Sequence, residues 1–131
     1  MFIDASAFCA VLLCEPDGSS IDSKIALSAC NQTSALAVFE TVLAVARSMG
    51  GDVSTARRDV DDYLAVSDVE VISIGVDEMA RALDAFERYG KGRHPARLNM
   101  GDCFAYACAK TQGVPLLFKG DDFSQTDVAI A

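Results

Sequence analysis

Short apolar runs alternate with longer helical patterns along this chain, and acidic residues follow the apolar run at each end. Residues 2–3 form the first run, and Asp4 comes directly after it. Residues 114–118 form another, and the acidic pair Asp121 and Asp122 follows. Short apolar strands separated by helices predict βαβ units around a mostly parallel sheet. Such sheets carry their sites at the carboxyl ends of the strands, where these acids are expected.

Periodicity and capping signals predict the elements between these two strands. Residues 31–34 are polar and are assigned to the cap of a helix, and residues 128–130 are assigned to a last edge strand. The chain of 131 residues is 51% hydrophobic, so we expect one α/β domain over residues 1–131. The predicted helices cover residues 6–14, 20–30, 35–49, 54–65, 77–89 and 99–112, and a further strand covers residues 69–74.

The charge is unevenly distributed. A net charge of −8 argues against nucleic-acid binding, which usually needs a basic face. However, Arg88, Lys91, Arg93 and Arg97 are clustered just before Asp102. Net charge is a weak guide when one face differs from the rest. Lys91, Arg93 and Arg97 are therefore candidate contacts for phosphates, and an ordinary solvated loop is the alternative.

The cysteine and histidine content limits the kind of metal site and the cellular compartment that we expect. The five cysteines form no C-x-x-C pair, and His94 is the only histidine, which argues against a zinc site. Reduced, buried thiols are expected. No apolar stretch is long enough to span a membrane, and no signal peptide is visible, so a cytoplasmic protein is expected. His94 precedes a proline in a loop and is expected to be structural.

Three acids in separate elements are candidate metal ligands. Asp4 ends the first strand, Glu40 lies on an apolar stripe of its helix between Leu36 and Leu43, and Asp102 lies near a helix start. Carboxylates that converge repel one another unless a cation binds between them. Hard oxygen ligands select Mg²⁺, which Mn²⁺ can replace. Helix capping is the alternative role for Asp4 and Asp102, and an ion pair is the alternative for Glu40.

Further acids and a hydroxyl are candidate supporting groups. Asp121, Asp122 and Asp127 lie in a loop after the buried strand, and their order alone does not decide which of them points inward. Ser6 follows Asp4 closely and is expected to orient a water or a phosphate oxygen. These groups together predict a metal-dependent enzyme that acts on phosphates.

Four segments resemble the PIN-domain ribonucleases, specifically the VapC toxins of bacterial VapBC toxin–antitoxin pairs. Residues 2–7 resemble the opening strand with its first acid, and residues 37–40 resemble the second acid on its helix. Residues 92–107 resemble the third-acid segment, and residues 116–127 resemble the closing motif. The resemblance extends from end to end, and its last two motifs are long and specific.

The resemblance implies a three-layer α/β/α sandwich and a Mg²⁺- or Mn²⁺-dependent endoribonuclease that cleaves cellular RNA such as tRNA or rRNA. It carries Asp4, Glu40 and Asp102 over as catalytic and metal-binding residues, and alignment on Phe123 favours Asp122 as the fourth. Partners implied are a second copy, a VapB-type antitoxin, and promoter DNA only through that antitoxin. Helices 20–30 and 54–65 are expected to help form the dimer and the antitoxin groove.

Other classes of protein fit the sequence less well. A phosphoacceptor receiver domain needs an acidic pair after its first strand, whereas Asp4 stands alone there. A dehalogenase-type phosphatase needs Asp-x-Asp, and Ser6 replaces the second acid. A catalytically silent PIN-like module that binds RNA or protein is the remaining alternative, and it predicts that some of the acids are missing.

Overall fold

A computed structural model describes all residues from Met1 to Ala131. It has a parallel sheet of four strands in the order β3-β2-β1-β4. The strands are β1 (Phe2–Ile3), β2 (Asn31–Ser34), β3 (Val69–Ile72) and β4 (Leu116–Leu117). The helices are α1 (Ala5–Leu12), α2 (Gly18–Leu27), α3 (Ala35–Ser48), α4 (Val53–Val66), α5 (Val76–Tyr89) and α6 (Met100–Gln112). A 3₁₀ helix covers Asp122–Gln125.

The two faces of the sheet carry separate cores, because neighbouring residues of a strand point to opposite faces. Phe2 and Leu116 lie in a core with residues of α5 and α6. Ile3 and Leu117 lie in a second core with residues of α1 to α4. The sheet is therefore covered on both sides, and the predicted three-layer α/β/α sandwich is confirmed.

β2 was not predicted, because its four residues are all polar. It nevertheless pairs with both β1 and β3 inside the sheet. Its side chains find partners locally: Thr33 Oγ1 donates to the Ile3 carbonyl at 2.9 Å, and Asn31 Nδ2 donates to the Ile25 carbonyl at 3.0 Å. Ser34 also caps α3, as predicted, by accepting from the backbone N–H of Ala37. These bonds offset much of the cost of burying a polar strand, although Asn31 Oδ1 has no partner.

Other elements differ from the predictions mainly at their ends. α2 begins two residues earlier than predicted and stops at Leu27 rather than at Cys30. The predicted edge strand over residues 128–130 is reduced to one parallel bridge between Ile130 and Leu116. α6 matches its prediction, from the cap Asn99 to the left-handed Gly113 at its end. Helix ends are the least determined part of a helix, so such shifts are ordinary.

The cysteines only partly follow the expectation of buried thiols. All five are free; Cys103 and Cys108 are buried, whereas Cys14 and Cys30 are exposed. None of the helices combines the length and the apolar character that crossing a bilayer requires.

Candidate active site

The candidate acids lie near the point where the strand order of the sheet reverses. The chain passes from β1 outward to β2 and β3, and then returns to place β4 on the other side of β1. Parallel α/β sheets bind ligands at such a switch point, at the carboxyl ends of the strands. Asp4 follows β1 here, and its N–H bonds the Leu117 carbonyl of β4 at 2.9 Å. The loop after β4 therefore starts beside Asp4.

Asp4 is buried, with 4% of its surface exposed, and Ser6 holds its carboxylate. The Ser6 N–H and the Ser6 hydroxyl donate to the same Asp4 oxygen, Oδ2, at 2.9 and 2.5 Å. The hydroxyl in turn accepts from the Lys119 N–H at 3.0 Å. Burial raises the pKa of Asp4, these hydrogen bonds lower it, and the charge of Asp122 raises it further. The net shift is upward.

The hydroxyl of Ser6 has a structural role beside the predicted one. Its only proton is donated to Asp4, and one lone pair is occupied by the Lys119 N–H. Ser6 thus fixes Asp4 and ties it to the loop after β4, so we assign it as a positioning residue. Sequence reasoning missed Lys119, because nothing in the sequence indicates a backbone N–H bond over 113 positions.

Glu40 lies two turns into α3 and packs on the backbone of α6. A Cβ atom added to Gly101 would lie 2.5 Å from Glu40 Oε2 and 2.8 Å from its carboxyl carbon. Gly101 therefore makes the space that the carboxylate occupies. No ion pair with Arg47 forms; the four ion pairs of the chain all involve other residues. Burial raises the pKa of Glu40, and the charges of Asp4 and Asp102 raise it further.

Asp102 shares a capping box with Asn99 at the start of α6. Its Oδ2 accepts from the Asn99 N–H at 2.7 Å, and its own N–H donates to Asn99 Oδ1 at 3.1 Å. Asp102 therefore caps the helix, as the alternative interpretation proposed, and it also lies near other acids. Burial raises the pKa of Asp102 to about 6, with smaller upward contributions from Asp4 and Asp122 that the Asn99 bond partly offsets.

Asp121 and Asp122 differ in their surroundings. The charge of Asp122 acts on both Asp4 and Asp102, whereas Asp121 perturbs none of the acids named above. Asp121 contributes its backbone carbonyl, which accepts from the Ser124 N–H at 3.1 Å. Buried Phe123 anchors the loop by stacking edge-on against Phe118, with ring centroids 4.8 Å apart.

Asp127, predicted as a supporting acid, lies in a different environment. It accepts a 2.5 Å hydrogen bond from the Tyr106 hydroxyl and forms ion pairs with Arg88 at 3.7 Å and Lys110 at 3.4 Å. The Tyr106 bond and these two cations lower the pKa of Asp127. Its charge is thus compensated, and it does not act on Asp4, Glu40 or Asp102. We assign it a structural role between α6 and the C-terminal segment.

The four acids are chemically suited to bind a hard divalent cation, although their side chains as they stand do not surround one. The donors are all carboxylate oxygens, which Mg²⁺ and Mn²⁺ prefer. The Ser6 and Asn99 bonds reach only Oδ2 of Asp4 and of Asp102, so Oδ1 of each is left for another ligand. No group of three acidic, histidine or cysteine side chains is arranged to hold an ion. A cation bound among the acids would offset the repulsion between their charges.

The basic residues predicted to contact phosphates lie together in the loop between α5 and α6. Lys91, Arg93 and Arg97 are exposed and line one open pocket with His94. This loop leads directly into the turn that carries Asp102. The acids and the basic loop are therefore neighbours in the chain, but they form separate clusters.

Comparison with known proteins gives consistent results over the whole chain. The family model described as PIN domain matches residues 1–129. A protein of Mycolicibacterium smegmatis named Ribonuclease VapC is 40% identical over 129 residues, which is 98% of each chain.

Two solved structures share the fold. The crystal structure of VapC20 of Mycobacterium tuberculosis, described as a sarcin-ricin loop cleaving toxin, superposes with a TM-score of 0.79 at 17% identity, over 99% of this chain and 97% of that one. A toxin–antitoxin complex from Klebsiella pneumoniae superposes with a TM-score of 0.71 at 15% identity, over 99% and 95%.

Proposed function

The chain belongs to the PIN-domain family, among its VapC ribonucleases, and on this premise we propose that it cleaves phosphodiester bonds of a cellular RNA with Mg²⁺ or Mn²⁺. One observation carries the proposal beyond family membership. Asp4, Glu40, Asp102 and Asp122 reach one edge of the sheet from four different elements. The charge of Asp122 raises the pKa of Asp4 and of Asp102, and the charges of Asp4 and Asp102 raise the pKa of Glu40. Asp4 is buried, and a buried acid is rarely left without a partner; divalent-metal dependence is general in this family.

The residues have distinct roles in this proposal. Asp4, Asp102 and Asp122 would hold the metal, and Glu40, seated on Gly101, would support it directly or through water. When bound, the ion supplies a hydroxide near neutral pH and neutralises charge on the phosphate. Ser6 and Asn99 keep the Asp4 and Asp102 carboxylates oriented, because each occupies one oxygen of its acid.

An antitoxin of the VapB type is the proposed protein partner. Four acids at one site attract a guanidinium group, which forms strong two-pronged contacts with carboxylates. An antitoxin tail that places an arginine there would block the metal. Inhibition should weaken at high salt and after an arginine-to-alanine change in the tail, and unchanged inhibition would contradict this model.

A second copy of the chain is the proposed occupant of the α5–α6 face. Val76, Met79, Leu83 and Phe86 form one stripe along α5, with 75%, 48%, 65% and 38% of their surfaces exposed. The groove beside this stripe is lined only by apolar residues, including Met100 of α6. A monomer rarely exposes so continuous an apolar surface. Promoter DNA would be reached only through the antitoxin.

The dimer surface on α5 and α6 and the antitoxin surface on α2 and α4 are separate in this proposal. α2 and α4 were predicted to serve both the dimer and the antitoxin groove. They expose Leu27 and Val66, at 88% and 89%, on a part of the surface distinct from the α5–α6 groove. We assign α2 and α4 to the antitoxin. Leu83→Arg should therefore give a monomer in light scattering, whereas Val66→Arg should leave the dimer and weaken antitoxin binding.

The nuclease proposal is tested by incubating total tRNA and rRNA with purified, antitoxin-free protein. Cleavage at discrete positions is expected with Mg²⁺ or Mn²⁺, leaving 5′-phosphate and 3′-hydroxyl ends, and none with EDTA. Asp4→Asn and Asp102→Asn should abolish it, while Asp84→Asn, an exposed acid on α5, should not. Cleavage that survives both active-site changes would contradict the proposal. A folded protein that cuts no RNA would favour the catalytically silent module.

A further inference from the structure

The loop between α5 and α6 concentrates positive charge in an acidic protein. The chain has 11 Lys and Arg against 19 Asp and Glu, yet residues 88–101 contain four cations and no acid. Arg88 is paired with Asp127, but no ion pair or side-chain hydrogen bond uses Lys91, Arg93 or Arg97. Three uncompensated cations thus lie within seven residues. Unpaired charge of one sign is available for a ligand of the other sign.

The loop is held in one shape by its backbone. The Lys91 N–H donates to the Leu98 carbonyl at 2.9 Å, and the Leu98 N–H donates to the Tyr89 carbonyl at 3.0 Å, which closes the loop at its base. Ala96 and Leu98 are buried, with 1% and 0% of their surfaces exposed. The cations therefore project from an anchored loop, so the entropic cost of ordering them around a ligand is reduced.

His94 adds a directed donor to the same pocket. Its Nδ1 accepts from the Ala96 N–H at 3.1 Å, and its ring stands edge-on to Tyr89 with centroids 5.2 Å apart. Because Nδ1 is the acceptor, Nε2 carries the proton in the neutral ring as well as in the charged one. The open pocket of about 450 Å³ is lined by Lys91, Gly92, Arg93, His94, Pro95 and Arg97. All four polar side chains of this lining can donate hydrogen bonds.

We infer that this pocket is a phosphate site, and that it takes a backbone phosphate of the RNA away from the bond that is cut. The second half of this inference rests on the proposed nuclease function. Arg97 is five residues before Asp102, a contour length of at most about 19 Å. One RNA strand can therefore reach both sites, with the basic loop holding the strand and the acids acting on it. Arg and Lys neutralise phosphates without reading sequence, so the pocket contributes affinity rather than specificity.

Phosphate binding is tested first without RNA and without metal. In EDTA and at constant pH, added inorganic phosphate should shift the ring NMR signals of His94, which are unambiguous because it is the only histidine. The shift should saturate in wild type and be reduced in Lys91→Ala, Arg93→Ala and Arg97→Gln, all exposed positions. Signals that do not move would overturn the phosphate site, whatever the nuclease activity is.

The RNA arm uses a single-stranded oligonucleotide with a 5′-hydroxyl end, again in EDTA so that it stays intact. Each of the three changes should reduce the slope of log K against log salt by about 0.7, because one phosphate contact is lost. Arg58→Ala, which removes an exposed arginine of α4, should leave the slope unchanged. Unchanged slopes in all three variants would overturn the backbone contact. The three changes could instead reduce the slope only when the oligonucleotide carries a 5′-phosphate. That result would overturn the backbone contact in favour of binding to a terminal phosphate.

The two proposals fail separately. A His94 shift and reduced salt slopes, in a protein that cuts no RNA, would retain the phosphate site and reject the nuclease. Metal-dependent cleavage without a His94 shift, and with unchanged slopes, would retain the nuclease and reject the phosphate site.

Discussion

The carboxylate of Glu40 lies against the backbone of Gly101, and a side chain of any size at position 101 would occupy its place. This contact joins α3 to the start of α6, one residue before Asp102. It explains why a glycine stands inside the first turn of a helix, where alanine is intrinsically better by about 1 kcal/mol. Gly101 makes the start of α6 less stable than alanine would, and it leaves space for the Glu40 carboxylate.

Gly101→Ala should therefore separate stability from activity. The Glu40 side chain is flexible and can rotate away, so the melting temperature should stay within a few degrees of wild type. RNA cleavage should fall toward the level of Glu40→Ala, because Glu40 has left the site. The double variant Gly101→Ala/Glu40→Ala should be no less active than Glu40→Ala alone. A large further loss in the double variant would show that Gly101 acts independently of Glu40.

The neighbouring acids Asp121 and Asp122 offer a matched pair. Asp122→Asn should reduce metal-dependent cleavage by about 10²–10³-fold, the range observed when one charge-stabilising group is removed from an active site. Asp121→Asn should leave cleavage within about twofold, since only the backbone of Asp121 makes contacts. Single-turnover rates on the same RNA would measure both. Equal losses in the two variants would contradict the placement of Asp122 alone among the acids.

The local positions of two of the acids could be predicted because each follows a capping rule. Asp4 follows a strand and caps a helix, and Asp102 completes a capping box, so their positions are visible in short segments. The central strand β2 could not be predicted from periodicity, because its buried polar side chains bond to carbonyls of β1 and α2, which only the folded structure brings beside them. The environment of Asp127 depends on Tyr106 in the same way.

Which face of α5 is buried could not be predicted from the sequence either. Met79, Leu83 and Phe86 form the apolar stripe of α5, which ordinarily faces the core. In the structure this stripe is exposed, and the small residues Ala82 and Ala85 pack inward instead, together with Tyr89. α6 lies close against these alanines, so the larger side chains remain outside. Sequence periodicity reports that a face is apolar, but it does not report what covers that face.

Ser6 should act on cleavage through the orientation of Asp4. Ser6→Ala removes the 2.5 Å bond to Asp4 and the acceptor of the Lys119 N–H. It should lower the free energy of unfolding by about 1–2 kcal/mol. The rate constant kcat should also fall, with little change in KM for RNA. Ser6→Thr, which keeps the hydroxyl, should restore both. Loss of stability with full kcat in Ser6→Ala would limit Ser6 to a structural role.

Divalent cations should stabilise the protein through the same acids. An ion that binds only the folded state adds about 2.7 kcal/mol at a concentration of 100 times its Kd. Thermal unfolding of wild type should therefore shift upward with Mg²⁺ or Mn²⁺. Asp4→Asn and Asp102→Asn should lose most of this shift, whereas Asp127→Asn should keep it, because Asp127 pairs with Arg88 and Lys110. An equal shift in all variants would place the ion elsewhere.

The raised pKa of Asp102 should make the free energy of unfolding depend on pH. Its ordinary value of 3.8 is raised to about 6 in the folded protein, chiefly by burial, so folding favours the protonated form. That contribution to stability is complete below pH 3.8 and is lost as the pH rises through about 6. In EDTA, Asp102→Asn should therefore become progressively more stable than wild type between these two values and keep a constant advantage above them. Denaturant unfolding of both proteins across this range measures the difference. A difference that does not change with pH would show that Asp102 ionises as easily in the folded chain as in the unfolded one.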